Sequence, residues 1–273
     1  MSEPAGGDPP PDAMREWNAD VYHRVSDPQR AWGGPVLARL PLAGTELVLD
    51  VGCGTGRLTA ELLQRLPRGR AVGVDLSENM LATAGRHLLP AFPSRITFLR
   101  ADAAALPFVS VADAVFSTAT FHWVRDHDRL FASLFAALKP GGRLVAQCGG
   151  AGNLHRLHGR CESLMRDPRF APHFAAWEDP WEFADATTTA ARLMRAGFTE
   201  VRTSVEPAPV MQPTCAAFVE FVSHVICRPH LARLPAAERD AFMEAVASMA
   251  AADVPAFELD YWRLNIEARK PSS

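Results

Sequence analysis

Short apolar runs that end in glycine or aspartate alternate along this chain with stretches whose leucines recur every three or four residues. Glu46–Val51 (ELVLDV) is a run of the first kind and predicts a buried parallel strand. Leu58, Leu62, Leu63 and Leu66 follow at helical spacing. Arg70–Leu76 (RAVGVDL) predicts a second strand, and Ser77 with Glu78 marks the cap of a helix running to His87. Ile96–Leu99 and Ala112–Ser117 predict the third and fourth strands, and Asp128–Leu138 a helix. Lys139-Pro-Gly-Gly142 reads as a stop-and-turn signal before a fifth strand at Arg143–Cys148. Strands alternating with helices of this length predict right-handed βαβ units on a parallel sheet.

The rhythm changes at both ends. The first thirteen residues are dominated by Pro, Gly and acidic residues and are expected to be a disordered tail. Arg15–Leu40 reads as helical and broken at Asp27-Pro28, with Trp17, Val21, Tyr22 and Val25 on one apolar face. A stretch rich in Arg, His, Phe and Pro occupies 151–182. A helix near Thr187–Ala196 and a strand near Phe198–Val205 restore the alternation. Residues 210–252 read as two or three helices, and Glu258–Ala268 alternates as one long final strand. The expected core is 14–150, 183–206 and 257–270, with 151–182 and 207–256 as a cap over the carboxyl edge of the sheet. Ligands of open α/β sheets sit at that edge.

Composition narrows the function classes. Of 273 residues, 48% are hydrophobic and 22% charged, as in ordinary soluble globular proteins. The net charge of −3, with no basic stripe, argues against nucleic acid as a partner. Cys53, Cys148, Cys161, Cys215 and Cys227 form no CxxC pair and suit reduced thiols in a cytoplasm. No apolar run approaches the ~20 residues of a membrane span, and no secretory leader is read, so a cytoplasmic protein is expected.

The richest chemistry lies in Leu49-Asp-Val-Gly-Cys-Gly-Thr-Gly56, a strand entering a glycine turn and then a helix. Gly52 and Gly54 let the backbone approach a ligand, and the helix start offers N–H groups. A dinucleotide fingerprint fails, because Arg57 stands where GxGxxG needs its third glycine. Asp50 would also repel a pyrophosphate, whereas it suits a cationic ligand. Asp75, closing the second strand, can accept both hydroxyls of a ribose. Asp102, after the third, can accept from an adenine amino group while the Ala103 N–H donates to a ring nitrogen. His155, His158 and Cys161 could be drawn as metal ligands, but no fourth ligand is spaced to match. A solvated helix face is expected there, and no metal.

These residues make the chain resemble the class I S-adenosylmethionine-dependent methyltransferases over Trp17–Lys270, most strongly over 47–148. Within that superfamily it is most similar to small-molecule carboxyl methyltransferases of the trans-aconitate, juvenile hormone acid and malonyl-carrier-protein types. The finer match rests on three segments. They are Trp17-Asn-Ala-Asp-Val-Tyr22 with Ser26 and Gln29-Arg30, then Phe121-His-Trp-Val-Arg-Asp126, then Arg263-Leu-Asn-Ile-Glu-Ala-Arg-Lys270. The resemblance implies an α/β, Rossmann-like, mostly parallel seven-stranded sheet with helices on both faces and a helical cap. It implies S-adenosyl-L-methionine as cofactor, whose ammonium and sulfonium fit where a pyrophosphate does not. Leu76 and Thr118 complete the expected cofactor set, and Tyr22 and Arg30 are expected at its methionyl end. Gln29 and Trp123 are expected to hold the carboxylate of a small organic acid, since amide and indole N–H groups donate without protonating it. An ionised acid needs no general base. Two rivals stand beside this reading: methylation of a phenol, amine or carbon with His122 as base, and a binding protein without turnover.

Overall fold

The computed structural model describes the backbone of residues 16–19 and 27–272, and the side chains of 16–19 and 32–272. The tail expected over 1–13 and Tyr22 therefore lie outside the described residues. Helix α1 (Asp27–Ala38) begins where a break was expected. Pro28 falls in its first turn, where a missing N–H leaves no helical bond unmade. Strand β1 (Leu47–Val51), α2 (Arg57–Gln64), β2 (Arg70–Asp75) and α3 (Glu78–Leu88) follow in the predicted alternation. Ser77 caps α3 by accepting from Met80 N, a cap worth about 1 kcal/mol. Then come β3 (Ile96–Arg100), β4 (Ala112–Thr118), α4 (His127–Ala137) and β5 (Leu138–Gly149).

The main sheet has seven strands in the order β3-β2-β1-β4-β5-β9-β6, with β6 at Thr199–Pro207 and β9 at Trp262–Arg269. Strands β1 to β5 pair in parallel and β9 lies antiparallel to β5. Alternation along the strands divides the apolar side chains between two faces. Leu49, Val51, Val115 and Leu144 pack with Phe131 and Leu134 of α4. Val48, Ala114, Phe116 and Val145 pack with Leu37 of α1 and Leu62 and Leu63 of α2. Helices thus cover both faces, and the core lies on either side of a buried sheet.

Two local expectations fail for reasons of pairing. Lys139-Pro-Gly-Gly142 does not end a helix before a separate strand. β5 already runs at Leu138, and the four residues bulge between its pairings with Ala112 and Ala114. Gly141, at φ +79°, donates its N–H to the carbonyls of Lys270 and Pro271, so a neighbouring segment satisfies the bulge. The final alternating run is also divided. Val210–Met211 (β7) pairs with Glu258–Leu259 (β8) in a separate two-stranded sheet, and only the residues from Trp262 enter the main one.

The chain separates into two compact units. The larger comprises Glu16–Ala151, Trp181–Glu206 and Arg263–Ser273. The smaller contains Gly152–Pro180 and Pro207–Trp262, running past Ala256, where the core was expected to resume. It holds α5 (His155–Met165), α7 (Cys215–Phe221), a π-helical turn (Val222–Ile226), α8 (Arg228–Arg233) and α9 (Ala236–Ala251). Helix α6 (Ala186–Arg195) belongs to the larger unit. Among the described residues no helix is long and apolar enough to cross a membrane.

Candidate functional site

The carboxyl ends of β1 and β2 carry the glycine turn and two carboxylates. Gly52 sits at φ +77°, and a Cβ there would lie 1.9 Å from Thr120 Oγ1. Gly54, at φ +53°, would project a Cβ into open space, so the turn leaves room beside its own backbone. Asp50 is buried at the end of β1 and accepts from Thr59 Oγ1 of α2 at 2.6 Å. Burial pushes its carboxyl up to about 7; the Thr59 hydroxyl holds it down, and Asp75 raises it.

Asp75, partly buried, accepts from Gly54 N at 3.0 Å and from Ser77 N at 2.9 Å. Burial raises its pKa, against the pull of those N–H groups. It therefore joins the glycine turn to the start of α3, a structural task that strand-end placement did not reveal. Leu76 is half-buried beside it. Asp102 is exposed after β3 and caps a short 3₁₀ turn (Ala103–Ala105), accepting from Ala104 N at 2.9 Å; Ala103 is buried. Thr118 closes β4, and its carbonyl accepts from Thr120 Oγ1 at 2.9 Å.

Sequence reasoning missed Glu16. Its carboxylate accepts from Ser77 Oγ, Glu78 N and Asn79 N at 3.0–3.2 Å, at the positive end of α3. Burial works to raise its pKa, but these donors and Arg100 hold it below the usual carboxylate range. Asn79 Nδ2 also donates to the Trp17 carbonyl. Glu16 and Trp17 are thus fastened to the start of α3, with no local signal in the sequence because their partners lie some 60 residues on.

The turn after β4 is built of aromatic rings. Phe121 is buried edge-on to Phe131, in the core. Trp123 is half-buried and packs instead against Trp17, with ring centroids 5.5 Å apart, and against Trp181 at 5.6 Å. It is therefore not the core aromatic that neighbours Phe121 and Phe131 could have made it. His122 stacks on Phe183, and its Nδ1 accepts from Gly149 N at 3.3 Å. In the neutral ring that bond places the proton on Nε2. The backbone of the turn is held from outside. His127 is buried and donates from Nε2 to the Phe121 carbonyl at 3.0 Å, while Glu182 N donates to the His122 carbonyl at 2.9 Å. Arg192 of α6 joins these anchors, donating to Glu182 at 2.8 Å and to His127 Nδ1 at 3.3 Å. Burial, then Arg192, lower the His127 pKa against the Phe121 carbonyl. Gln29 and Arg30 lie on α1, but their side chains are outside the described residues.

A family model described as a methyltransferase domain matches residues 48–142. The trans-aconitate 2-methyltransferase of Paracidovorax citrulli is 34% identical over 245 residues, covering 85% of this chain and 88% of that protein. The protein of the same name from Methylobacterium radiotolerans is 31% identical over 240 residues, with the same coverages of 85% and 88%. A solved structure, Haemonchus contortus phosphoethanolamine N-methyltransferase 2 in complex with S-adenosyl-L-methionine, is similar in fold at a TM-score of 0.60 and 20% identity. That match covers 93% of this chain and 56% of the other.

Proposed function

The chain belongs to the S-adenosylmethionine-dependent methyltransferases, in the group containing the trans-aconitate 2-methyltransferases, and we propose that it methylates a carboxylate oxygen of a small organic acid. The site residues fit the cofactor. The turn faces open space at Gly54, and a buried and a partly buried carboxylate suit a cation and hydroxyl groups better than a pyrophosphate. In this reading Asp75 accepts the ribose hydroxyls, with Leu76 beside it. Asp102 and the Ala103 N–H take the adenine edge. Asp50 and the Gly52–Gly54 turn serve the amino-acid end, with Thr118 completing that side.

When bound, S-adenosylmethionine supplies a methyl carbon activated by a sulfonium leaving group. The chain's own task is to present the acceptor in line and to keep water away. The acceptor assignment is carried by one observation, the Gly149 N–H on His122 Nδ1. A nitrogen already accepting from the backbone is a poor general base, and the other nitrogen bears the proton. The ring therefore offers an N–H, as the Trp123 indole does. N–H groups suit an anionic acceptor that is nucleophilic without deprotonation. In the same reading Gln29, whose side chain is outside the described residues, is assigned as a third donor.

Incubation with S-adenosylmethionine and a panel of carboxylic acids, phenols and amines tests this. An acid should gain one methyl group as an ester, which mild alkali cleaves back to acid and methanol. His122→Asn, whose amide oxygen can replace Nδ1 as acceptor but whose amide N–H does not reach the Nε2 position, should cost roughly tenfold in kcat/KM with a rate that stays flat with pH. An alkali-stable product, or a loss of roughly 100-fold or more in His122→Asn with a rate that climbs with pH, would replace the carboxylate by a phenol or amine and make His122 the base.

A further inference from the structure

The smaller unit contains a buried cluster of ligand-bearing side chains that methyl transfer does not use. Cys161 lies on α5, Cys227 ends the π-helical turn, and His230 lies one turn further on in α8. One ligand atom from each falls within 4.8 Å of the others, and all three residues are at most 2% exposed. The two sulfurs are 3.6 Å apart. A tetrahedral ion with metal–sulfur bonds of about 2.3 Å holds its two sulfurs about 3.8 Å apart. The His230 ring is fixed by stacking on Trp177, with centroids 4.6 Å apart, and on Phe242 at 6.1 Å. The expected solvated face of α5 is thus half wrong: His155 is exposed, but Cys161 is buried. Its partners lie 66 and more residues along the chain, so no local spacing could announce them.

We propose that Cys161, Cys227 and His230 bind a divalent transition-metal ion of the zinc type, which ties α5 to the start of α8. Cys227-Arg-Pro-His230 puts two ligands on one helical turn, and Cys161 closes the site from the facing helix. Loading one divalent ion forms two metal–thiolate bonds and releases the two thiol protons to solvent.

The test uses the full chain, purified under reducing conditions, analysed for zinc, then stripped and titrated with Co²⁺. About one zinc per chain is expected, and Co²⁺ should produce the visible bands of a tetrahedral thiolate site. Cys161→Ser and Cys227→Ser should lose those bands, while Cys215→Ser, at an exposed cysteine, should keep them. Should the first two variants not fold, equilibrium dialysis of the wild type against Zn²⁺ decides alone: one ion retained per chain upholds the site. Failure of the folded wild type to bind either ion would overturn it. So would bands that persist in both serine variants, or a Cys161–Cys227 disulfide in the protein as isolated.

Discussion

Two neighbouring strands, β1 and β4, end in turns built on opposite plans. After β1 the chain is held by its own backbone: positive-φ glycines, a buried Asp50, and Asp75 receiving the Gly54 N–H. After β4 the chain is held by distant groups on its carbonyls: His127 on that of Phe121 and the Glu182 N–H on that of His122. The first plan leaves little room for variation in side chain, which suits a cofactor that does not change. The second leaves its side chains replaceable, which suits an acceptor that does. The two turns meet at Gly52 and Thr120.

That meeting point gives the largest expected effect. Gly52→Ala forces a side chain into φ +77° and 1.9 Å from Thr120 Oγ1. Left-handed strain and overpacking together should cost roughly 2–6 kcal/mol. Thermal melting should fall by several degrees or more, and S-adenosylhomocysteine binding by calorimetry should be lost. An unchanged melting temperature would mean that the turns are not locked together. Next in size, Trp123→Phe keeps a ring between Trp17 and Trp181 but removes the indole N–H. It should cost about 1.5–3 kcal/mol, or roughly 10–150-fold in kcat/KM, with cofactor affinity unchanged. Cofactor affinity falling in parallel would erase the division between the two turns.

The smallest effect concerns protons. Asp50 has its pKa raised to about 7, so a cation bound beside it draws the carboxyl into its ionised form. Affinity for S-adenosylmethionine should rise roughly tenfold from about pH 6 to about pH 8, with proton release, and Asp50→Asn should flatten that slope. In the cofactor-free protein the same shift acts on folding with the opposite sign. The folded chain keeps a proton that the unfolded chain gives up, so this contribution to stability is full below the ordinary carboxylate range and is lost as pH rises through 7. A slope retained in Asp50→Asn would assign the titration to another group.

The turn after β1 is legible in the sequence because its chemistry is local: glycines and an aspartate within eight residues dictate the backbone they need. The strand-end positions of Asp75 and Asp102 are legible for the same reason, whereas the backbone N–H groups that Asp75 accepts from Gly54 and Ser77 are not. The placement of His122 is not, because Gly149, 27 residues away, decides which nitrogen carries the proton. Glu16 and His127 escape notice likewise, one through its partners on α3 and the other through a carbonyl in a turn that no periodicity marks. The Lys139–Gly142 signal misleads because turn propensity is weighed without Lys270 and Pro271, whose carbonyls receive Gly141. The metal-type cluster follows the same rule, with one ligand on α5 and two beyond the π-helical turn.

The anchoring of residues 121–123 through carbonyl groups has a consequence for how the acceptor preference of such a protein can change. His127 and Glu182 grip the oxygens of Phe121 and His122, and Arg192 secures both grips. None of these bonds depends on which side chain stands at 122 or 123. Substitutions there exchange the groups shown to an acceptor while the loop keeps its path, so new specificities can be sampled one residue at a time without first losing the fold that supports them.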